Sequence, residues 1–170
     1  MKTLLCSFGL AVATMAQVVP TPVGKAPNSS SFASRVYFAG QPEAADFAEY
    51  AKQGVTVVIN LRMPAELEKL DFKEAELAKA AGMEYVSVPF GPKPPTDEDL
   101  AQIFPYLKGD RKVLLHCATS NRAGLVWSLF RGKVDELKVD DAVAEGKSAG
   151  MKNPALEKIA RERLAADTKN

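Results

Sequence analysis

Between Val113 and Gly124 the chain changes character within one short stretch. An apolar run, Val113, Leu114 and Leu115, stops at His116 and Cys117, and a polar loop follows that ends at Arg122. Leu125 to Phe130 then read as the start of an apolar helix. The stretch is the C-terminal end of a buried strand, a short loop and a helix N-terminus, the place in α/β folds where backbone N–H groups and the helix dipole bind anions. A cysteine there is favoured as the thiolate by the same amides and by Arg122. Cys117 is therefore the candidate nucleophile, with Arg122 as a two-pronged partner for an oxyanion that a lysine could not reproduce. Ala118, Thr119, Ser120 and Asn121 would line the cradle with backbone amides, and the hydroxyls of Thr119 and Ser120 could add donors. Gly124 suits close packing of helix on strand.

Alternation of apolar runs with helical patterns extends this reading to a whole domain. Strands are expected near 35–39, 55–61, 84–89 and 112–116. Between the first two, Ala44, Phe47, Ala48 and Ala51 recur at helical spacing, and Gly54 stops the helix. A second helix is expected from Asp71, with Glu74 completing a capping-box pattern, to just before Gly82. A third starts at Thr96 and carries Leu100, Ile103, Phe104 and Leu107 on one face, with Pro105 predicting a kink or an early end. Val139 to Ala149 and a segment capped by Asn153 and Pro154 predict two last helices. The fold class is α/β: one domain, a mainly parallel central sheet flanked by helices.

Three stretches, Arg35 to Pro42, Val57 to Arg62 and His116 to Arg122, resemble in their order the cysteine-dependent protein phosphatase superfamily. More closely they resemble its small bacterial DUF442 branch, found in beta-lactamase hydrolase-like proteins. The resemblance covers roughly residues 33 to 150. It implies a protein-tyrosine-phosphatase-like fold and cofactor-independent hydrolysis of phosphomonoesters through a Cys117 covalent intermediate; no metal is expected, because one cysteine and one adjacent histidine do not make a tetrahedral set. Four residues separate Cys117 from Arg122, one fewer than most phosphatases of the superfamily carry. Similar short cysteine loops occur in rhodanese-type sulfurtransferases, so a Cys117 persulfide carrier is an open alternative. A non-catalytic oxyanion-binding module is another. Ala123 stands where the superfamily often has a hydroxyl residue that assists the leaving thiolate.

The remaining site candidates carry weaker signals. Arg62 closes the Val57 to Arg62 stretch at a second strand end, where it is either a second cation for substrate or a structural ion pair. His116, the only histidine, matches by resemblance the histidine before the phosphatase cysteine. Its side chain is expected to point away from the cradle, because strand neighbours alternate faces, which makes it a supporting residue. Phosphoryl transfer also needs an acid for the leaving oxygen. In the Pro89 to Asp99 segment Asp97 is the first candidate, with Glu98 and Asp99 behind it, although all three also suit the first turn of a helix.

Composition bounds the rest. With 46% hydrophobic and 25% charged residues in a chain of 170, the sequence can bury a sizeable core and does not read as disordered. Lys2 followed by the apolar run Thr3 to Met15 has the pattern of a secretory signal peptide over residues 1–16. Residues 17–34, with Pro20, Pro22 and Pro27, read as a flexible linker, and residues 35–170 as the domain. Removing residues 1–16 takes away Lys2 and no acid, which leaves 21 basic against 21 acidic residues. Such a neutral chain, secreted or periplasmic, has no basic face for nucleic acid and no integral membrane segment once processed. The expected partner is a small oxyanion or a phosphorylated substrate, while the physiological substrate and the oligomeric state are not legible. Processing would also remove Cys6, leaving Cys117 as the lone thiol.

Overall fold

The β-branched and aliphatic runs form strands and the runs of helical period pack on them. The computed structural model describes residues 16–167. In chain order the elements are β1 (Val18–Pro20), β2 (Ser30–Phe32), β3 (Val36–Ala39), α1 (Asp46–Lys52), β4 (Val55–Asn60), α2 (Pro64–Leu67), α3 (Glu74–Ala80), β5 (Glu84–Ser87), α4 (Asp97–Lys108), β6 (Lys112–His116), α5 (Asn121–Lys133), α6 (Val139–Ser148) and α7 (Pro154–Asp167). They build one mixed sheet in the order β1-β2-β3-β6-β4-β5. β3, β6, β4 and β5 run parallel, and β1 and β2 add to the β3 edge antiparallel.

Strand alternation divides the interior into two cores. Val36, Phe38, Val57, Ile59, Val113, Leu115 and Cys117 face α4 to α7, where Trp127 of α5 packs against Phe38 and Phe32. Tyr37, Ala39, Val58 and Leu114 face Phe47 and Tyr50 of α1 and Ala78 of α3. β6 lies between β3 and β4, so the chain segments leaving all three strands converge at one edge of the sheet. In open α/β sheets this carboxyl edge, beside a reversal of strand order, is where ligands bind.

Several expectations change. Residues 17–34 are not a flexible linker: Val18 to Pro20 pair with Ser30 to Phe32, which pair with Val36 to Phe38. The local composition hides this because the partner that orders these short strands is β3. Pro20 closes β1 and Pro22 and Pro27 fall outside the strands, where a missing N–H costs no ladder bond. The expected signal peptide, residues 1–16, lies outside the described residues except for Ala16. α4 runs through Pro105 to Lys108, since only the N–H of Pro105 is lost so close to the helix end. α3 starts at Glu74 rather than Asp71, and the Glu74 carboxylate is buried instead of capping. The short α2 was not anticipated. Among the described residues no helix is long and apolar enough to cross a membrane.

Candidate active site

Cys117 follows directly on β6 and is 1% exposed, on the α5 side of the sheet. Its N–H donates to Ala39 O at 3.4 Å, and Gln41 N–H donates to Ala118 O at 3.1 Å, so the loop is sewn to the end of β3. Gly40 is required at this seam, because a Cβ there would lie 2.7 Å from Pro27 and 3.0 Å from the Ala118 carbonyl. Asn28 donates to Thr119 O at 3.3 Å from the outer side. Ser120 has φ +67°, in the left-handed region, and turns the chain into α5.

Arg122, in the first turn of α5, reaches back under the strand ends. Its Nη1 donates to Leu61 O at 3.0 Å and to Phe90 O at 2.8 Å, beyond β4 and β5 respectively. Glu66 of α2 accepts from Nη1 at 2.8 Å and from Nη2 at 2.7 Å, a bidentate pair. None of these bonds uses Nε. Burial opposes the guanidinium charge, but the Glu66 hydrogen bonds and the electrostatic and hydrogen-bonding contact with Cys117 outweigh it and raise the Arg122 pKa. Glu66 is in turn held at about 2, chiefly by the Arg122 hydrogen bond, with the Met63 N–H and the Arg62 charge adding to it.

Arg62 shares this carboxylate. Its Nε lies 3.5 Å from Glu66 Oε1, its Nη2 donates to Glu66 O at 2.9 Å, and its Nη1 donates to Gln41 Oε1. Arg62 therefore spans the ends of β3 and β4 beside the second arginine. On the opposite face His116 is fully buried, with Nε2 at 3.6 Å from Glu74 Oε2. Burial, only partly offset by Glu74, pushes its pKa down. Glu74 also accepts from Gln41, Asn60 and Tyr85, the last at 3.0 Å, and Asn60 Oδ1 accepts the Arg62 N–H at 2.7 Å. Gln41, Asn60, Arg62 and His116, scattered over the three stretches of sequence resemblance, are thus joined through one buried carboxylate.

The structure brings Cys117, Ala118, Thr119, Ser120, Asn121, Arg122, Arg62 and His116 to one sheet edge. Asp97 is not among them. It is exposed and pairs with Arg163 of α7 and with Lys133, 3.7 Å away. Lys133 ends α5, about 16 Å from Arg122 at about 1.5 Å per helical residue. Asp99 instead lines a groove of ≈ 430 Å³ together with Met63, Pro89, Phe90 and Thr96, which adjoins the site through the Phe90 carbonyl held by Arg122. Sequence reasoning missed Glu66 and read Glu74 only as part of a helix cap. Gln41 and Asn60 lay inside the informative stretches and could have been singled out there, but nothing around the two glutamates marks them. Among the described residues no group of three or more His, Cys, Asp or Glu could hold a metal ion.

A cysteine loop entering a helix at the carboxyl edge of a mostly parallel sheet is the architecture of protein tyrosine phosphatase-like phosphatases, and known structures share it. Pseudomonas aeruginosa TpbA superposes with a TM-score of 0.67 at 18% identity, covering 92% of this chain and 92% of that one. A kinase-associated phosphatase, solved with its catalytic-site cysteine replaced by serine, gives 0.65 at 20% identity over 82% of this chain and 90% of its own. A cysteine-to-serine TpbA has also been solved in complex with phosphotyrosine, with a TM-score of 0.59 at 17% identity over 92% of this chain and 99% of that one.

The particular family follows from the sequence itself. Residues 31–133 match the phosphatase-like domain of beta-lactamase hydrolase-like proteins, and the chain belongs to that family. A beta-lactamase hydrolase-like protein of Xylella fastidiosa is 31% identical over 120 residues, 68% of this chain. The match spans only 28% of that relative's length.

Proposed function

We propose that this chain is a cysteine-dependent phosphomonoesterase. The observation that carries the reading is the juxtaposition of Cys117 with an Arg122 guanidinium braced by Glu66. The brace occupies one edge of the guanidinium and directs the Nε edge to an oxyanion seated on the loop amides. The Cys117 thiolate attacks phosphorus, the ester P–O bond breaks, and the leaving oxygen takes a proton from an acid. Water then attacks the phosphocysteine, releasing phosphate and restoring the thiolate. Asp99, which lines the adjoining groove, serves as the acid in place of Asp97. The largely apolar groove between Met63 and Phe90 suits an aromatic or alkyl leaving group, and the phosphotyrosine bound by TpbA is a ligand of that kind. Residues 1–16 as an export signal place this activity outside the cytoplasm, which fractionation of the expressed full chain tests directly.

The test is turnover of an aryl phosphate by the wild type, by Cys117→Ser and by Arg122→Lys. Both substitutions should remove most activity, since serine without a base is a poor nucleophile and lysine offers no fork. The short loop keeps persulfide chemistry as a second reading. A thiosulfate arm, read by mass spectrometry of the Cys117 peptide, separates the two. A stable sulfur adduct without phosphatase turnover would replace the leading reading.

A further inference from the structure

Two consecutive cradle residues turn their side chains onto the connection between α6 and α7. Ser120 Oγ donates to Ala149 O at 2.7 Å. Asn121 Oδ1 accepts from Lys152 N–H at 2.7 Å and Asn153 N–H at 2.8 Å, while its Nδ2 donates to Thr119 Oγ1 at 3.0 Å. The turn also presses on the loop from behind. A Cβ at Gly124 would lie 2.4 Å from Gly146 O and 2.6 Å from Met151 N, and one at Gly150, itself at φ +111°, would lie 2.5 Å from Ser120 Cβ.

The conformation being held is an unfavourable one. Ser120 carries a Cβ at φ +67°, where residues other than glycine, asparagine and aspartate are uncommon. The αL residue decides which way the neighbouring amides of the cradle point. We propose that the α6–α7 turn, residues 149–153, imposes this conformation, so that Ser120 and Asn121 are positioning residues of the oxyanion cradle. The proposal rests on the cysteine-phosphatase reading for its catalytic consequence. The clamp lies beyond Lys133, outside the residues that match the family domain.

The experiment compares Ser120→Gly, Asn121→Ala and Asn121→Asp in the full chain by melting temperature, by kcat and KM on an aryl phosphate, and by calorimetric binding of tungstate. Ser120→Gly should keep or raise the melting temperature, because glycine adopts φ +67° without a Cβ penalty. Its kcat should nevertheless fall about 10- to 100-fold and its tungstate affinity with it, the scale expected of a small misplacement of catalytic groups. Asn121→Ala should lose kcat similarly. Asn121→Asp keeps the acceptor for both turn N–H groups and should regain most of that kcat, with KM raised by the new charge. An active wild type whose Ser120→Gly and Asn121→Ala variants keep its kcat and tungstate affinity would overturn the clamp and leave the hydrolase reading standing. A wild type without turnover whose tungstate binding follows the expected pattern would do the reverse. A wild type that neither turns over nor binds tungstate would overturn both.

Discussion

Glu66 and Arg122 hold each other across 56 residues of sequence, and the pair sets a pH signature. The Glu66 carboxyl sits at about 2 in the folded protein against an ordinary 4.5. A depressed carboxylate contributes its stability in full above the unfolded value and loses it as pH falls from 4.5 toward 2. Comparing Glu66→Gln with wild type by thermal melts from pH 7 to pH 2 should show a gap that is widest near neutrality and closes across that window. A constant gap would mean that the carboxylate charge does not brace Arg122. Sequence alone reached one partner only. Cys117, Arg122 and His116 share a stretch whose change from apolar to polar is visible, whereas Glu66 meets Arg122 and Glu74 meets His116 only because the topology brings them near.

The segment between β5 and α4 shows the same division between pattern and placement. Its three acids were legible as a helix start, and Thr96 does cap α4, receiving the Asp99 N–H at 3.1 Å. Where each acid lies depends on how the helix is docked: Arg163 and Lys133 draw Asp97 away, while Asp99 lines the groove beside Phe90 with its Oδ2 accepting the Thr96 N–H at 2.8 Å. Asp99→Asn should therefore slow alkyl phosphates far more than activated aryl esters, by about 10²–10⁴-fold if it is the acid. Asp97→Asn should leave the ratio of the two rates unchanged, and the reverse ranking would restore Asp97. β1 and β2 were illegible because three-residue strands carry too little period to register. A chain beginning at Arg35 would lose both strands and Phe32, whose ring packs 5.0 Å from Trp127 under the Arg131 guanidinium. Chemical denaturation should show a loss on the order of 1–3 kcal/mol for that truncation from the half-buried Phe32 contact.

At the scale of the molecule, the central sheet is also what joins the two cores to the chemistry. Cys117 faces one core and His116 the other, so a single peptide bond links the proposed nucleophile to the Glu74 network behind the sheet. The parallel sheet could be read from alternating strand and helix patterns, since each pattern is local. The two-sided anchoring could not, because it depends on the order β3-β6-β4. The same arrangement leaves Cys117 without a thiol companion among the described residues. Once oxidised to a sulfenic acid, it has no second thiol among the described residues with which to close a disulfide, and a soluble thiol that arrives before further oxidation to the irreversible sulfinic acid would restore it. Brief peroxide treatment should give inactivation that dithiothreitol reverses, and longer exposure a growing fraction that it does not. Mass spectrometry of the Cys117 peptide would follow both. Survival under oxidative stress is then a race between two bimolecular reactions, reduction by a soluble thiol and further oxidation, whose balance the surrounding thiol concentration sets.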